Sequence, residues 1–243
     1  MSSTIKKNSK RKSKTTKLKT TKSPKTASKR GSSEEPQEPW NKDRVVGQMR
    51  PFDPEQAAHV RAELEMQAAR KPLRLRDIAL FNVALDAMCR ASEILSLRVR
   101  DVTDHLNQVI EEFEVFQEKT GRTKTVTLGK DARKSLQKWI DFSEKKPEAY
   151  LWSSIGNRKN GDRPLSRMQY SRLVKDWAAI ARLDHRRFST HSMRRTKSAL
   201  IYDQTKNLRA CQHLLGHKSI GSTAEYLGVD KKAALAVAKR IKI

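Results

Sequence analysis

The chain has 243 residues, with 52 Lys and Arg against 27 Asp and Glu, for a net charge of +25. That length supports one good core or two small ones, and the charge attracts polyanions, of which nucleic acid is the commonest large one. No apolar run approaches the ~18 residues of a membrane span and no apolar secretory segment opens the chain, so a basic cytoplasmic protein with no membrane partner is expected.

Residues 1–33 hold twelve of the Lys and Arg side chains and no acid, set among Ser and Thr. Such a composition buries too little apolar surface to offset chain entropy, so residues 1–52 are expected to be a disordered lysine-rich tail and a linker. The rest of the chain still carries +13, which makes the folded part basic in its own right.

Asp53-Pro54, an N-cap acid followed by proline at the first helical position, predicts a helix to about Arg70, where Pro72 breaks it. A second helix over about Arg74–Met88 places Ile78, Phe81, Leu85 and Met88 on one face, and a short third follows around Ser92–Leu97. Alternating runs at Gln108–Gln117 and Thr123–Leu128, joined by Glu118-Lys119-Thr120-Gly121-Arg122, predict a β-hairpin with glycine in its turn. Further helices are expected over about Asp131–Glu144, Ser166–Ile180, His191–Tyr202, Leu208–Leu215, Ser222–Leu227 and Lys231–Ile241, with Gly161–Pro164 as a loop. The expected fold class is mainly α with a small antiparallel β-sheet, in one domain over residues 53–243. Cys89 and Cys211 lie in apolar, helix-like segments without metal-ligand spacing and read as reduced core thiols.

The segment Thr190–Tyr226 concentrates the chemistry. His191 and Arg194, spaced i, i+3, share a face in the first helical turn, where backbone N–H groups favour an anion. His217 follows Leu214-Leu215-Gly216, a helix end stopped by glycine, and Tyr226 comes nine residues later on a short polar helix. Upstream, Arg90 follows an apolar helix end, with Ser92 read as an N-cap and Glu93 as the acid that orients the guanidinium. Lys119 lies at the hairpin tip. Taken singly, each has an ordinary reading: a solvated turn lysine, a helix-start histidine, a half-buried packing tyrosine.

As an ordered set, these residues resemble the catalytic domain of the tyrosine recombinase (phage integrase) family. The resemblance rests on Arg90 in CRASEILSL, Lys119 in EKTGR, His191 and Arg194 in HSMRR, His217 in LLGH and Tyr226 in GSTAEY, and it covers about residues 53–243. With only the basic tail and linker ahead of the first helix, it points to the compact members built of the catalytic domain alone. It implies the tyrosine recombinase catalytic-domain fold and DNA strand exchange through a covalent 3′-phosphotyrosine, with no metal and no cofactor. It further implies double-stranded DNA as substrate, a homo-tetramer on DNA, accessory DNA-bending proteins as partners, and a nucleoid-associated location.

In such a mechanism Arg90 and Arg194 clamp the non-bridging oxygens of the scissile phosphate, and His217 adds a hydrogen bond to it. Tyr226 is the nucleophile, His191 the candidate acceptor of its proton, and Lys119 the donor to the leaving 5′-oxygen. The last helix carries Ala234, Val237, Ala238 and Ile241 at helical spacing, for packing on its own domain or on a neighbouring protomer. Two other readings stay open: a non-catalytic DNA-binding or recombination accessory protein that retains the fold, and a type IB topoisomerase.

Overall fold

The computed structural model describes residues 48–153 and 163–229, with the single positions 235 and 239 beyond them. The lysine-rich tail and most of the expected linker lie outside the described residues. So do nearly all of the helix expected over Lys231–Ile241 and the Gly161-Asp162 part of the expected loop.

Helix α1 spans Pro54–Arg70 and starts as its residues dictate. The Asp53 carboxylate accepts from the Gln56 N–H (2.8 Å), and the Gln56 side chain accepts from the Asp53 N–H (3.1 Å), closing a capping box around Pro54. Ala57, Val60, Leu64 and Ala68 form its buried stripe. A 3₁₀ turn over Pro72–Arg74 leads into α2 (Leu75–Ala87), which is buried on nearly every side and packs against α1, α4 and α6. It is the axis of the core. Phe81 meets Trp177 edge-on at 5.2 Å. The end of the expected linker joins this core too: Phe52 is 3 % exposed, meets Phe81 edge-on and lies against Phe188 at a tilt.

A short α3 (Ala91–Leu95) precedes the hairpin, β1 (Glu112–Gln117) paired antiparallel with β2 (Arg122–Thr127), with Gln117 opposite Arg122. The first strand is shorter than expected. Residues 108–111 belong to a loop in which the Asp104 carboxylate accepts from the Leu106 and Gln108 N–H groups, and Gln137 accepts from the Val109 N–H. Phe113 and Val115 point inward from β1 and Val126 from β2, and the same alternation carries two polar side chains inside, Gln117 and Lys124.

Helices α4 (Lys130–Ser143), α5 (Arg167–Ile180), α6 (Thr190–Thr205), α7 (Leu208–Leu215) and α8 (Ile220–Leu227) complete the described chain. The result is mainly helical with one two-stranded antiparallel sheet. Cys89 and Cys211 are buried and unpaired, as core thiols should be. Among the described residues no helix is long and apolar enough to cross a membrane.

Candidate active site

The site begins where α2 stops. Met88 turns the chain through the left-handed region at φ 48°, unfavourable for a residue with a side chain. Lys124 on β2 braces that turn, donating from Nζ to the carbonyls of Ala87 (2.7 Å) and Met88 (3.2 Å). These are orphan acceptors of a helix end, and a buried ammonium satisfies them. Burial holds the Lys124 pKa below its usual value, in spite of nearby Cys89 and Glu93.

Two residues on, Arg90 is itself the N-cap of α3. The cap expected at Ser92 is therefore two residues too late: Ala91 starts the helix and Glu93 falls at its third position. The Glu93 carboxylate then reaches back to the Arg90 N–H (2.8 Å) and to the Arg90 guanidinium (2.5 Å). Glu93 is 4 % exposed. Burial opposes its charge, but the Arg90 hydrogen bonds and the charges of Arg90 and Arg194 outweigh it, leaving the carboxyl below its usual pKa.

Helix α6 supplies the second arginine. Its cap is Ser189, which accepts from the His191 N–H (3.2 Å), while Ser192 accepts from the Ser189 N–H (3.1 Å). Arg194 thus lies past the first turn, not within it, and its grip on an anion would come from its guanidinium and not from helix N–H groups. The side chain is 2 % exposed. It donates to the Leu215 carbonyl at the end of α7 (2.6 Å) and lies 4.0 Å from Glu93. Next to it, Arg195 donates to the Met49 carbonyl (3.1 Å). The Nε of each arginine is buried without an acceptor among the described residues.

Gly216 ends α7 at φ 64°, as a helix-stop glycine should. His217 follows, its Nδ1 3.1 Å from the Thr223 hydroxyl on α8. That hydroxyl also donates to the Ser219 carbonyl (3.3 Å), so it accepts from Nδ1–H in the neutral ring. Tyr226 stands edge-on to His217 (5.4 Å between ring centres), with the guanidinium carbons of Arg194 and Arg195 at 5.9 and 5.4 Å from its ring. Its hydroxyl donates to the backbone carbonyl of His191 at 3.4 Å, a long contact.

The cluster is strongly electropositive. Burial, with the charges of Arg194, Arg90 and Lys119 among others, pushes the His217 pKa down to about 4 and holds His191 below its usual value. Both rings are neutral near pH 7. Burial pushes the Tyr226 phenol up to about 12, against the pull of Arg194, Arg195 and Arg90.

Five of the six sequence-predicted residues, Arg90, His191, Arg194, His217 and Tyr226, therefore converge from α3, α6, the α7 terminus and α8. Lys119 is exposed at the β1–β2 turn, near enough for its charge to act on both histidines. Four residues around them escaped the sequence reading: Gln117, Lys124, Arg195 and Thr223. The hairpin alternation was the available signal for the first two, since it marks both as inward-facing polar side chains.

The phage integrase family model matches residues 56–233. The chain is 29% identical over 166 residues to the probable integrase/recombinase YoeC of Bacillus subtilis (strain 168), covering 68% of this chain and 83% of that protein. It is 30% identical over 167 residues to tyrosine recombinase XerD of Xanthomonas campestris pv. campestris, and 29% identical over 161 residues to tyrosine recombinase XerC of Corynebacterium glutamicum. Each alignment takes in 66% of this chain but only 50% and 49% of those proteins, so the chain spans about half their length. Among solved structures, XerA recombinase superposes with a TM-score of 0.61 at 19% identity, over 81% of this chain and 67% of that one. XerH site-specific recombinase, bound to its difH substrate before cleavage, superposes at 0.62 and 17% identity, over 81% and 56%. The chain belongs to the phage integrase family of tyrosine recombinases.

Proposed function

We propose that this protein is a site-specific recombinase that breaks and rejoins double-stranded DNA through a covalent 3′-phosphotyrosine. The observation that carries the reading is the convergence of Arg90 and Arg194 on one buried carboxylate, Glu93, with the Tyr226 ring beside Arg194. A single carboxylate shared by two guanidiniums leaves positive charge uncompensated, and burying such charge is costly. A phosphodiester, with one negative charge and two non-bridging oxygens, supplies the missing partner.

Arg90 and Arg194 hold the scissile phosphate and stabilise the charge that builds on it. The Tyr226 oxygen attacks phosphorus, the bond to the 5′-oxygen breaks, and the phenol proton passes to His191. Lys119 protonates the departing 5′-oxygen, and His217 contacts the phosphate. The depressed pKa of His191 keeps its ring neutral and able to take the proton. Lys119 suits the leaving group better than Lys124, whose ammonium is committed to two carbonyls. Attack also requires the Tyr226 hydroxyl to leave the His191 carbonyl. The phosphotyrosine conserves the energy of the broken bond, so the 5′-hydroxyl of a partner strand reverses the step.

The DNA substrate is supported by the net charge of +25 and by structural relatives solved on DNA, including XerH on difH and the Tn1549 integrase on circular intermediate DNA. A tetramer on DNA, accessory DNA-bending proteins, a nucleoid location and a catalytic domain over residues 53–243 belong to the same reading. The twelve Lys and Arg of residues 1–33 add salt-sensitive affinity. Deleting them should weaken DNA binding at low salt; unchanged affinity contradicts that role. The reading as a whole is tested with nicked suicide duplexes drawn from DNA flanking the gene. Wild type should become covalently linked to DNA, and Tyr226→Phe should not.

A further inference from the structure

Gln117 is the last residue of β1 and is 1 % exposed. Its backbone carbonyl closes the hairpin turn, accepting from the N–H groups of Thr120 (3.0 Å) and Gly121 (2.9 Å), so it fixes the loop that carries Lys119. Its side chain points the other way, into the site. With the amide oriented to satisfy its neighbours, the NH₂ donates to the Gly216 carbonyl (3.1 Å) and to the Thr120 hydroxyl (3.1 Å), and the oxygen accepts from the Arg90 guanidinium (3.3 Å). The fit is tight: a Cβ at Gly216 would lie 2.3 Å from this amide.

One buried side chain thus joins three separate pieces: the Lys119 turn, the Arg90 guanidinium and the residue before His217. A buried amide is retained where its hydrogen bonds are satisfied and is costly where they are not. An apolar residue would continue the inward Phe113–Val115 stripe of β1 more cheaply, so the polar choice calls for a role.

We infer that Gln117 is a positioning residue for DNA cleavage, its amide holding the Lys119 turn in register with Arg90 and the Gly216–His217 turn so that the lysine reaches the leaving 5′-oxygen. The inference rests on the phosphotyrosine reading above. In the step it serves, the Tyr226 oxygen bonds to phosphorus, the P–O5′ bond breaks, and the Lys119 ammonium proton moves to the 5′-oxygen. A misplaced lysine slows departure of oxygen. It does not slow departure of sulfur, because a thiol has a pKa near ~8.5 and leaves as the thiolate without a proton.

The test compares wild type, Gln117→Glu, Gln117→Met and Lys119→Ala on the suicide duplex that wild type cleaves, made with either oxygen or sulfur as the bridging 5′ atom. Gln117→Glu keeps the acceptor for Arg90 but loses the donor to Gly216 and Thr120; Gln117→Met loses both. Gln117→Glu should cleave the oxygen substrate on the order of 10-fold more slowly or worse, as misplacement of a reacting group does. On the sulfur substrate that defect should shrink several-fold without reaching wild type, because the new carboxylate also offsets part of the Arg90 charge. Lys119→Ala, whose oxygen defect is the larger because general acid help is lost altogether, should recover to within about twofold of wild type. Gln117→Met, without its arm to Arg90, should recover only in part. Melting curves show whether each variant is folded, and the ratio of the two rates within one variant does not depend on its folded fraction. Equal slowing of Gln117→Glu on oxygen and sulfur, or no slowing, overturns the inference while wild-type trapping leaves the recombinase reading intact. If wild type forms no covalent complex on any flanking duplex, both fall together.

Discussion

Glu93 holds Arg90 twice, accepting from its backbone N–H at 2.8 Å and from its guanidinium at 2.5 Å. The first bond caps α3 and the second aims the side chain, so a single carboxylate sets both where the helix starts and where the arginine points. The same carboxylate lies 4.0 Å from Arg194. Glu93→Gln keeps the shape but removes the charge that both guanidiniums share. Single-turnover cleavage should fall on the order of 10²-fold, as geometry around the phosphate loosens. DNA affinity measured by gel shift should change little, since most of it comes from phosphate contacts elsewhere.

The two hairpin lysines should separate stability from chemistry. Lys124→Met leaves the Ala87 and Met88 carbonyls without their buried donor and should cost about 1–3 kcal/mol in denaturant unfolding. Lys119→Ala, at an exposed turn, should leave stability within about 0.5 kcal/mol of wild type and still slow cleavage. The reverse pattern would exchange their roles.

Gly216 combines φ 64° with the close approach of Gln117. Gly216→Ala should destabilise the protein by more than the about 1 kcal/mol expected from backbone conformation alone, because the new methyl must also displace a buried amide. Thermal melting reads the loss. A change in Tm no larger than that of a surface substitution would mean that the turn has other ways to relax.

The depressed His217 pKa makes a prediction about acid. Above pH ~6.5 the ring is neutral in folded and unfolded chains alike and contributes no pH dependence. As pH falls below that value the unfolded chain takes up a proton that the folded protein refuses until about pH 4, so stability is lost across this window. Allowing for solvent screening of a half-exposed ring, the loss is about 1 kcal/mol. Without DNA, the Tm of wild type should drop more between pH 7 and pH 4.5 than that of His217→Asn.

Much of this was legible in the residues, and for local reasons. Helix α1 matched its expected limits because Asp53, Pro54 and Pro72 punctuate it. Helix α7 matched because Gly216 stops it. The order of Arg90, Lys119, His191, Arg194, His217 and Tyr226 carried the family resemblance. What stayed hidden depends on packing between distant segments. Lys124 matters because the carbonyls of α2 end above β2, and Gln117 because the α7 terminus comes within hydrogen-bonding distance of the hairpin. The Arg90 cap was missed because arginine is a poor N-cap by type, and here Glu93 does the capping from within the helix. Arg194 falls past the first turn because α6, capped by Ser189, starts at Thr190, one residue ahead of the expected start at His191.

The central claim is that Tyr226 becomes covalently joined to DNA. The most direct measurement is denaturing electrophoresis of wild type and Tyr226→Phe after incubation with nicked suicide duplexes from the flanking DNA, followed by peptide mapping of the adduct. The account predicts a metal-independent 3′-linked adduct on Tyr226 in wild type and none in the variant. An adduct that persists in Tyr226→Phe, or none in wild type on any duplex that it binds, would contradict it.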